Sequence, residues 1–370
     1  MALPSRLRTL FTIIATLVVT QNLFLSFTLE SSSNDPEKAH QSAFYTGEAS
    51  ANLNLNAGNH TQHTVVSQNI SISNVPQPAA TPSATATTTA PAPNKTLVIL
   101  LGDLRGGETA WQTLYDNVLD VNSADLALMI GHNSTRSAYR NASLFDRATF
   151  HWEFSEYNDW ADALDLIRFK NGTATGWREN VVPLMHPGSQ VLGGVKMSGF
   201  SGSGGVIFMI RWFLTKKLQE LQLTERYDRF ILTRADHYYL CRHDISQMDP
   251  NRLWVPEGSD CGGITDRHLI VSSRHVLQAL NVLPQLLTQP QEYKNLLRIR
   301  SGNPEKILYK SWKLSRIRRH IRRFDRNMFT CGETGDTTRW RELGELVEEG
   351  VRLKYADEYN QSRMTCGKQH

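Results

Sequence analysis

Two short apolar runs, separated by a segment of helix length, constrain the fold of this chain more than any other feature. Thr96–Leu101 reads TLVILL and Ala124–Ile130 reads ADLALMI. Continuous apolar runs of this length are typical of strands buried on both faces of a parallel sheet. Between them the pattern predicts a helix from about Thr109 to Leu119. A strand, helix and strand in this order predict an α/β fold with a Rossmann-like, nucleotide-binding half.

The loop after the first predicted strand contains residues suited to phosphate binding. Gly102, Arg105, Gly106 and Gly107 lie there, and backbone amides with a guanidinium could contact a nucleotide or its phosphates. The loop has neither a complete GxGxxG nor a GxxxxGK[ST] pattern. A tight turn with a surface arginine is therefore the alternative interpretation.

A third apolar run ends in a cluster of polar groups. In Tyr227–Leu240, YDRFILTRADHYYL, the strand-like residues Phe230 to Thr233 precede Arg234, Asp236 and His237. Open α/β sheets bind ligands at the carboxyl ends of their strands, so this motif predicts a site there. The alternative is a core strand in which Arg234 and Asp236 pair only with each other.

This stretch resembles the end of the central strand in nucleotide-sugar glycosyltransferases of the GT-A type. In that family a short acidic motif, usually Asp-x-Asp, holds a divalent metal against the donor diphosphate. Here the motif is Arg-Ala-Asp, so only Asp236 matches. The resemblance implies a GT-A-like mixed sheet, donor contacts from Arg234 and Asp236, and Mn²⁺ or Mg²⁺ at Asp236.

A glycine- and serine-rich loop, GGVKMSGFSGSGG, leads into a predicted amphipathic helix from about Val206 to Leu221. The resemblance implies that Ser201 and Ser203 lie near the donor nucleotide. A flexible connection followed by a core helix is the alternative.

Two carboxylates are candidates for the catalytic base. Asp266 follows the glycine pair Gly262 and Gly263, as on the acceptor side of GT-A enzymes, and Glu305 follows Asn303-Pro304 at a predicted helix start. An inverting transferase needs such a base to accept the proton of the acceptor hydroxyl. A structural turn at Asp266 and Arg267, and a capping role for Glu305, are the alternatives.

The amino-terminal third of the chain differs in composition from the rest. Residues 1–9 carry Arg6 and Arg8, and residues 10–29 contain no charged side chain, which predicts a cytoplasmic tail and an uncleaved signal anchor. A cleaved signal peptide is the alternative. Residues 30–95 are rich in Ser, Thr, Asn, Ala and Pro and predict a disordered stem, leaving residues 96–370 as a luminal domain. Seven Asn-x-Ser/Thr sequons fit this topology: Asn59, Asn69, Asn94, Asn133, Asn141, Asn171 and Asn360.

Four cysteines and one basic run complete the sequence features. In a luminal domain we expect two disulfides, and we favour Cys241 with Cys261 and Cys331 with Cys366 among the three possible pairings. Lys306–Arg326 contains nine Lys or Arg residues and one Asp, and its apolar spacing predicts a docked helix with a basic outer side. The net charge of +4 is modest, so a nucleic-acid partner is not expected.

Together these features are similar to a Golgi type II membrane glycosyltransferase. The resemblance implies transfer of a sugar from a nucleotide-sugar donor to a glycan or glycoprotein acceptor in the Golgi lumen. A carbohydrate sulfotransferase is the main enzymatic alternative. In this chain, however, Glu108 lies in the loop that would correspond to the phosphate loop of such an enzyme, and its carboxylate would repel a phosphate. A non-catalytic glycan-binding protein with the same fold is the third interpretation.

Overall fold

The computed structural model describes residues 95–132, 141–196, 200, 202–333, 344–347 and 349–368. The predicted tail, anchor and stem lie outside these ranges, as do Ser201 and four of the sequons. Among the described residues no helix is long and apolar enough to cross a membrane.

A seven-stranded mixed sheet forms the centre of the fold. Its strands, in chain order, are β1 (Thr96–Leu101), β2 (Asp125–Gly131), β3 (Phe150–Phe154), β4 (Arg229–Thr233), β6 (Leu253–Pro256), β7 (Leu269–Ser272) and β8 (Ile321–Phe324). The spatial order is β3-β2-β1-β4-β7-β6-β8. The first four of these run parallel, β7 is antiparallel to both β4 and β6, and β8 is parallel to β6. The α/β class is therefore confirmed, with parallel strands over the Rossmann-like half.

A smaller antiparallel sheet lies at the carboxyl end of β4. It consists of β5 (His237–Tyr239), β9 (Met328–Gly332) and β10 (Arg352–Leu353), in the order β10-β9-β5. Because β5 follows β4 after three residues, the polar motif Arg234 to Asp236 is the junction between the two sheets.

Helices cover both faces of the large sheet. They are α1 (Gly107–Leu114), α2 (Ser143–Arg147), α3 (Trp160–Leu164), α4 (Trp177–Asn180), α5 (Gly204–Glu220), α6 (Leu223–Arg226), α7 (Ser273–Leu280), α8 (Val282–Thr288), α9 (Pro290–Leu297), α10 (Pro304–Leu314) and α11 (Ala356–Cys366). One apolar core contains α5, α7, α8 and α10, and a second contains α1 on the opposite face. Alternate residues of β1 enter each core: Leu97 and Ile99 the first, Val98 and Leu100 the second.

The predicted helix from about Thr109 to Leu119 is present as α1 followed by a π-helical turn, Tyr115–Leu119. The strand prediction for Thr96–Leu101 matches the observed bounds, and the one for Ala124–Ile130 differs by one residue at each end from β2.

The prediction of one docked helix through Lys306–Arg326 is wrong. Helix α10 ends at Leu314, a 3₁₀ turn follows at Ile317–His320, and the rest forms the edge strand β8. The spacing of apolar residues led us to extend the predicted helix beyond Leu314. Ile321 fits an apolar helical face and a half-buried edge strand equally well. The basic side chains of β8 suit an edge strand, where charge discourages pairing with another chain.

The predicted disulfide pairing is also wrong. Cys241, just after β5, is bonded to Cys366 at the end of α11. Cys261 is exposed and Cys331 is buried in β9, and neither forms a disulfide. The prediction paired cysteines close in sequence, whereas the antiparallel pairing of β5 with β9 brings the carboxyl terminus back to Cys241.

Candidate functional site

The carboxyl ends of β1 and β4 open into a cleft beside the first turns of α5. Register pairing places Leu100 opposite Thr233, so the residues that follow each strand emerge side by side. Two adjoining pockets with about 570 and 450 Å³ of empty space make up this cleft. Their polar lining is formed by Gly102, Asp103, Arg105, Arg211, Ser203, Thr233, Arg234, Asp236, Asp266 and Arg267. We call this region the edge cleft.

Most of the sequence-predicted site residues meet in the edge cleft. Those that line it are Gly102, Arg105, Ser203, Arg234, Asp236 and Asp266. Gly106 and Glu305 are not among the lining residues. Convergence of residues from four separate segments at one sheet edge is the geometry expected of a ligand site in an α/β fold.

Gly106 holds the β1–α1 loop against the end of β4. A Cβ atom there would lie 2.7 Å from the carbonyl oxygen of Ala235, and the residue has a φ of +93°. The Trp111 indole nitrogen donates to the carbonyl oxygens of Arg105 and Ala235, at 2.9 and 3.1 Å. Glycine therefore allows a backbone approach that the indole then stabilises.

Asp236 and Arg234 form a bidentate ion pair on the cleft wall. The Arg234 Nε atom donates to Asp236 Oδ1 at 2.6 Å, and Nη2 donates to Oδ2. Burial raises the pKa of Asp236, but the charge and hydrogen bonds of Arg234 outweigh it, so this pKa lies well below its usual range. The Asp236 side chain is 4% exposed and that of Arg234 is 25% exposed. The guanidinium therefore reaches the cleft while the carboxylate anchors it from behind.

The residues present do not fit a resident divalent ion. Both oxygens of Asp236 accept from Arg234, and the neighbouring Asp103 accepts from Arg105 at 2.7 Å. Within the described residues, no group of three His, Cys, Asp or Glu side chains has a geometry suited to a metal. Mg²⁺ and Mn²⁺ bind through oxygen ligands such as carboxylates, and both oxygens that Asp236 would offer are already paired with Arg234.

Asp266 faces the cleft from the loop before β7, and a buried arginine supports it. Arg211, on α5, is 3% exposed and donates through Nη2 to the Asp266 carbonyl oxygen at 2.6 Å. Burial lowers the pKa of Arg211, and the charges of Asp266 and Glu305 oppose that effect. Arg211 thereby fixes the backbone that presents Asp266.

Glu305 lies in the first turn of α10. The glycine turn packs directly on it, since a Cβ atom at Gly263 would lie 2.1 Å from the Glu305 carbonyl oxygen. Burial and the charge of Asp266 raise the pKa of the Glu305 carboxyl. The predicted helix start at Asn303-Pro304 is confirmed, and Asn303 caps α10 because its Oδ1 accepts from the Lys306 amide at 3.0 Å.

Residues near the carboxyl terminus form one side of the site that the sequence did not indicate. Arg267 Nη1 donates to Glu358 Oε1 at 2.6 Å, and its guanidinium lies 4.2 Å from the Tyr355 ring centroid. Burial raises the pKa of Glu358, but Arg326 and Arg267 lower it to about 2. Lys354 precedes Tyr355 and interacts electrostatically with Arg234, Asp236, Arg267 and Arg105.

A carboxylate side chain already accepts a hydrogen bond at the amino terminus of α1. Glu333 Oε1 accepts from the Glu108 amide at 3.1 Å, and a Cβ atom at Gly107 would meet the Glu333 side chain. The Glu108 carboxylate in turn accepts from the Ser143 amide at 3.0 Å. The helix end that a phosphate loop would use is therefore already satisfied by an acidic side chain.

Two buried histidines contact the hydroxyl of Thr233, a residue that lines the cleft, and a third, His243, packs against one of them. His237 Nδ1 and His268 Nδ1 are each 3.0 Å from Thr233 Oγ1, and the Tyr239 hydroxyl is 2.8 Å from it. The His243 and His268 ring centroids are 5.1 Å apart. Burial lowers the pKa of all three imidazoles, to about 3 for His237 and about 4 for His243. These side chains are therefore neutral near neutral pH.

Sequence reasoning missed Arg211, Lys354 and Glu358 as parts of the site. Arg211 carried a usable signal, since a single arginine interrupts the apolar run IFMIRWFL of a helix expected to be amphipathic. Lys354 and Glu358 carried none, because their places depend on how the carboxyl terminus folds back.

A scan against protein-family models and a search of curated proteins gave no match for this chain.

Proposed function

We propose that this protein is a glycosyltransferase that moves a sugar from a nucleotide-sugar donor to a hydroxyl of a glycan or glycoprotein. The carrying observation is the edge cleft, which Arg105, Arg234 and Asp266 all line. Guanidinium groups complement a leaving diphosphate, and a carboxylate in the same cleft can accept a proton. The proposal includes a GT-A-like arrangement of the mixed sheet and, from the amino-terminal sequence, a single-pass Golgi membrane topology.

In this mechanism the residues of the chain have separate tasks. Ser203 and the backbone at Gly102 border the donor pocket, whose apolar wall includes Val206, Ile207 and Ile210. The oxygen of the acceptor hydroxyl attacks the anomeric carbon, and Asp266 accepts the proton that this hydroxyl loses. The bond from that carbon to the diphosphate breaks, and nearby cations balance the charge of the departing diphosphate.

The occupied end of α1 weighs against the sulfotransferase alternative. A sulfate donor carries phosphates that need open amides and cations at such a loop. Here the Glu108 amide already donates to Glu333, and the Glu108 carboxylate is turned toward Ser143. An added anion would meet two carboxylates at that position.

The test is a donor screen with the full-length chain in detergent. We expect one nucleotide sugar to be consumed, with release of its nucleoside phosphate, when glycan acceptors are present. Asp266→Asn should abolish turnover without weakening donor binding. Consumption of a phosphosulfate donor would support the sulfotransferase instead, and glycan binding without turnover of any donor would support a non-catalytic role.

A further inference from the structure

Basic side chains from four segments gather at one end of the edge cleft. Arg105 comes from the β1–α1 loop, Arg234 from the end of β4, Arg267 from the loop before β7, and Lys354 from the residue after β10. Arg105, Arg234 and Arg267 line the cleft. The Lys354 ammonium lies 4.8 Å from the centroid of the same Tyr355 ring that Arg267 covers. We call these four residues the basic cluster.

Carboxylates orient the three arginines of the basic cluster: Asp103 pairs with Arg105, Asp236 with Arg234 and Glu358 with Arg267. Glu358 is 1% exposed and serves two guanidiniums, with Arg267 Nη1 at 2.6 Å and Arg326 Nη1 at 3.4 Å. It also accepts from the Thr330 amide at 2.9 Å and the Ser259 hydroxyl at 2.9 Å. One buried charge is therefore shared by two arginines.

The three arginines of the basic cluster act on the Lys354 ammonium. Burial lowers the pKa of this ammonium, Arg234 lowers it further, and together with Arg267 and Arg105 they bring it to about 7. Asp236 acts in the opposite direction. Binding an anion here would relieve the repulsion among neighbouring cations, which is the electrostatic signature of an anion site.

The lack of fit to a divalent ion has the same physical basis. A metal would need the Asp236 oxygens that Arg234 now occupies, and it would add two positive charges beside cations that already repel one another. Arginine can instead bind phosphate directly, through two parallel N–H donors.

We propose that this chain binds the diphosphate of its donor without a divalent ion, on the basic cluster formed by Arg105, Arg234, Arg267 and Lys354. The diphosphate assignment rests on the proposed glycosyltransferase function. The anion site itself rests only on the placement of these four side chains and their buried carboxylate partners.

Pyrophosphate is the appropriate probe, because it carries the diphosphate group of nucleoside diphosphate sugars. We expect calorimetric titration of the full-length chain in detergent to show binding in the presence of EDTA, with no more than about a threefold change when Mn²⁺ replaces EDTA. Lys354→Met should weaken pyrophosphate binding about tenfold or more, since a hydrogen bond to a charged group is lost. Lys354→Arg should retain most of the affinity.

Controls separate this result from unfolding and from failure of the proposed function. Lys313→Met, on the exposed side of α10, should leave pyrophosphate affinity unchanged, and melting temperatures should show that each variant is folded. Binding that requires Mn²⁺, or equal binding by wild type and folded Lys354→Met, would overturn the proposal. Metal-free pyrophosphate binding without any sugar transfer would retain the anion site and reject the glycosyltransferase.

Discussion

Asp266 lines the edge cleft and Glu305 does not, and this difference predicts different roles. The pKa of the Glu305 carboxyl is raised by burial and by the charge of Asp266. We expect Asp266→Asn to lower kcat about a hundredfold or more, as for loss of a general base. Glu305→Gln should lower it less than about tenfold, since Glu305 is not among the residues that line the cleft and does not contact the acceptor.

Steady-state kinetics with the donor found by screening would measure both effects. The KM for the donor should change little in either variant, because neither carboxylate is placed on the donor wall. A larger loss of kcat in Glu305→Gln than in Asp266→Asn would reverse the assignment.

Asp236 predicts a combined effect on stability and binding. Asp236→Asn leaves the Arg234 guanidinium without its bidentate partner, and breaking a buried ion pair costs about 3 kcal/mol or more. Because Asp236 also aims that guanidinium into the cleft, we expect pyrophosphate affinity to fall about tenfold.

Urea unfolding and calorimetry in one preparation would test this prediction. Glu220→Gln, which breaks the exposed pair with Lys217, is the matched control and should change stability by less than about 1 kcal/mol. Unaltered pyrophosphate affinity in folded Asp236→Asn would assign Asp236 a purely structural role.

At the residue scale, the sequence predicted which side chains converge better than it predicted their partners. Residues that end strands β1 and β4 could be placed at one sheet edge from topology alone. The sequence left open whether Arg234 and Asp236 form part of a ligand site or pair only with each other. Both interpretations predict the same polar residues, Arg234, Asp236 and His237, after β4. Lys354 and Glu358 were beyond reach, since no local pattern indicates which part of a chain folds back onto a distant loop.

At the scale of elements, the contact between the β1–α1 loop and the end of β4 depends on Gly106. Gly106→Ala would drive a Cβ atom against Ala235 and Asp236, in addition to the strain of a positive φ. We expect a loss of about 3 kcal/mol in unfolding free energy, from strain and overpacking together. Gly172→Ala is the control, because Gly172 has a φ of +83° and no atom within 4 Å of an added Cβ. It should lose about 1 to 2 kcal/mol from backbone strain alone.

Denaturant titrations would give the loss of unfolding free energy in Gly106→Ala and in Gly172→Ala. The difference between the two losses measures the effect of the close approach at Gly106. Equal losses would mean that the loop shifts freely and that Gly106 does not fix the cleft wall.

The same elements show why element types were easier to predict than their extents. The apolar run of β1 is unambiguous, whereas the basic run after Leu314 changes from helix to strand because β6 offers an open edge for pairing.

At the scale of the whole molecule, the Cys241–Cys366 disulfide ties α11 to the end of β5. The bond closes a loop with a sequence separation of 125 residues. In the chain-entropy account, such a loop corresponds to about 5 kcal/mol of stabilisation. We expect Cys366→Ser to lower the unfolding free energy by a large part of that value. The same variant should weaken pyrophosphate binding, because Glu358 lies on the released helix.

Peptide mapping without reduction should find Cys241 linked to Cys366, with Cys261 and Cys331 alkylated as thiols after unfolding. Cys261→Ser, at an exposed position, should change stability little. A linkage of Cys331 to Cys366 would contradict the structure.

The buried histidines predict how stability depends on pH. His237, His243 and His268 are at most 3% exposed, and burial holds the pKa of each below the value of about 6.5 expected in the unfolded chain. The unfolded state therefore binds more protons, so the stabilisation is fully present above about pH 6.5 and decreases as the pH falls toward the folded values. Each histidine contributes a slope of up to about 1.4 kcal/mol per pH unit.

Urea unfolding at several pH values between about 7 and 5 would measure this slope. We expect the unfolding free energy to be nearly constant above neutral pH and to fall steeply below it. His243→Phe removes one imidazole that packs on Phe324, with ring centroids 5.0 Å apart, and should reduce the slope by about 1 kcal/mol per pH unit. His151→Gln, at an exposed position of β3, should leave it unchanged. An identical slope in wild type and His243→Phe would mean that His243 is not held neutral in the folded protein.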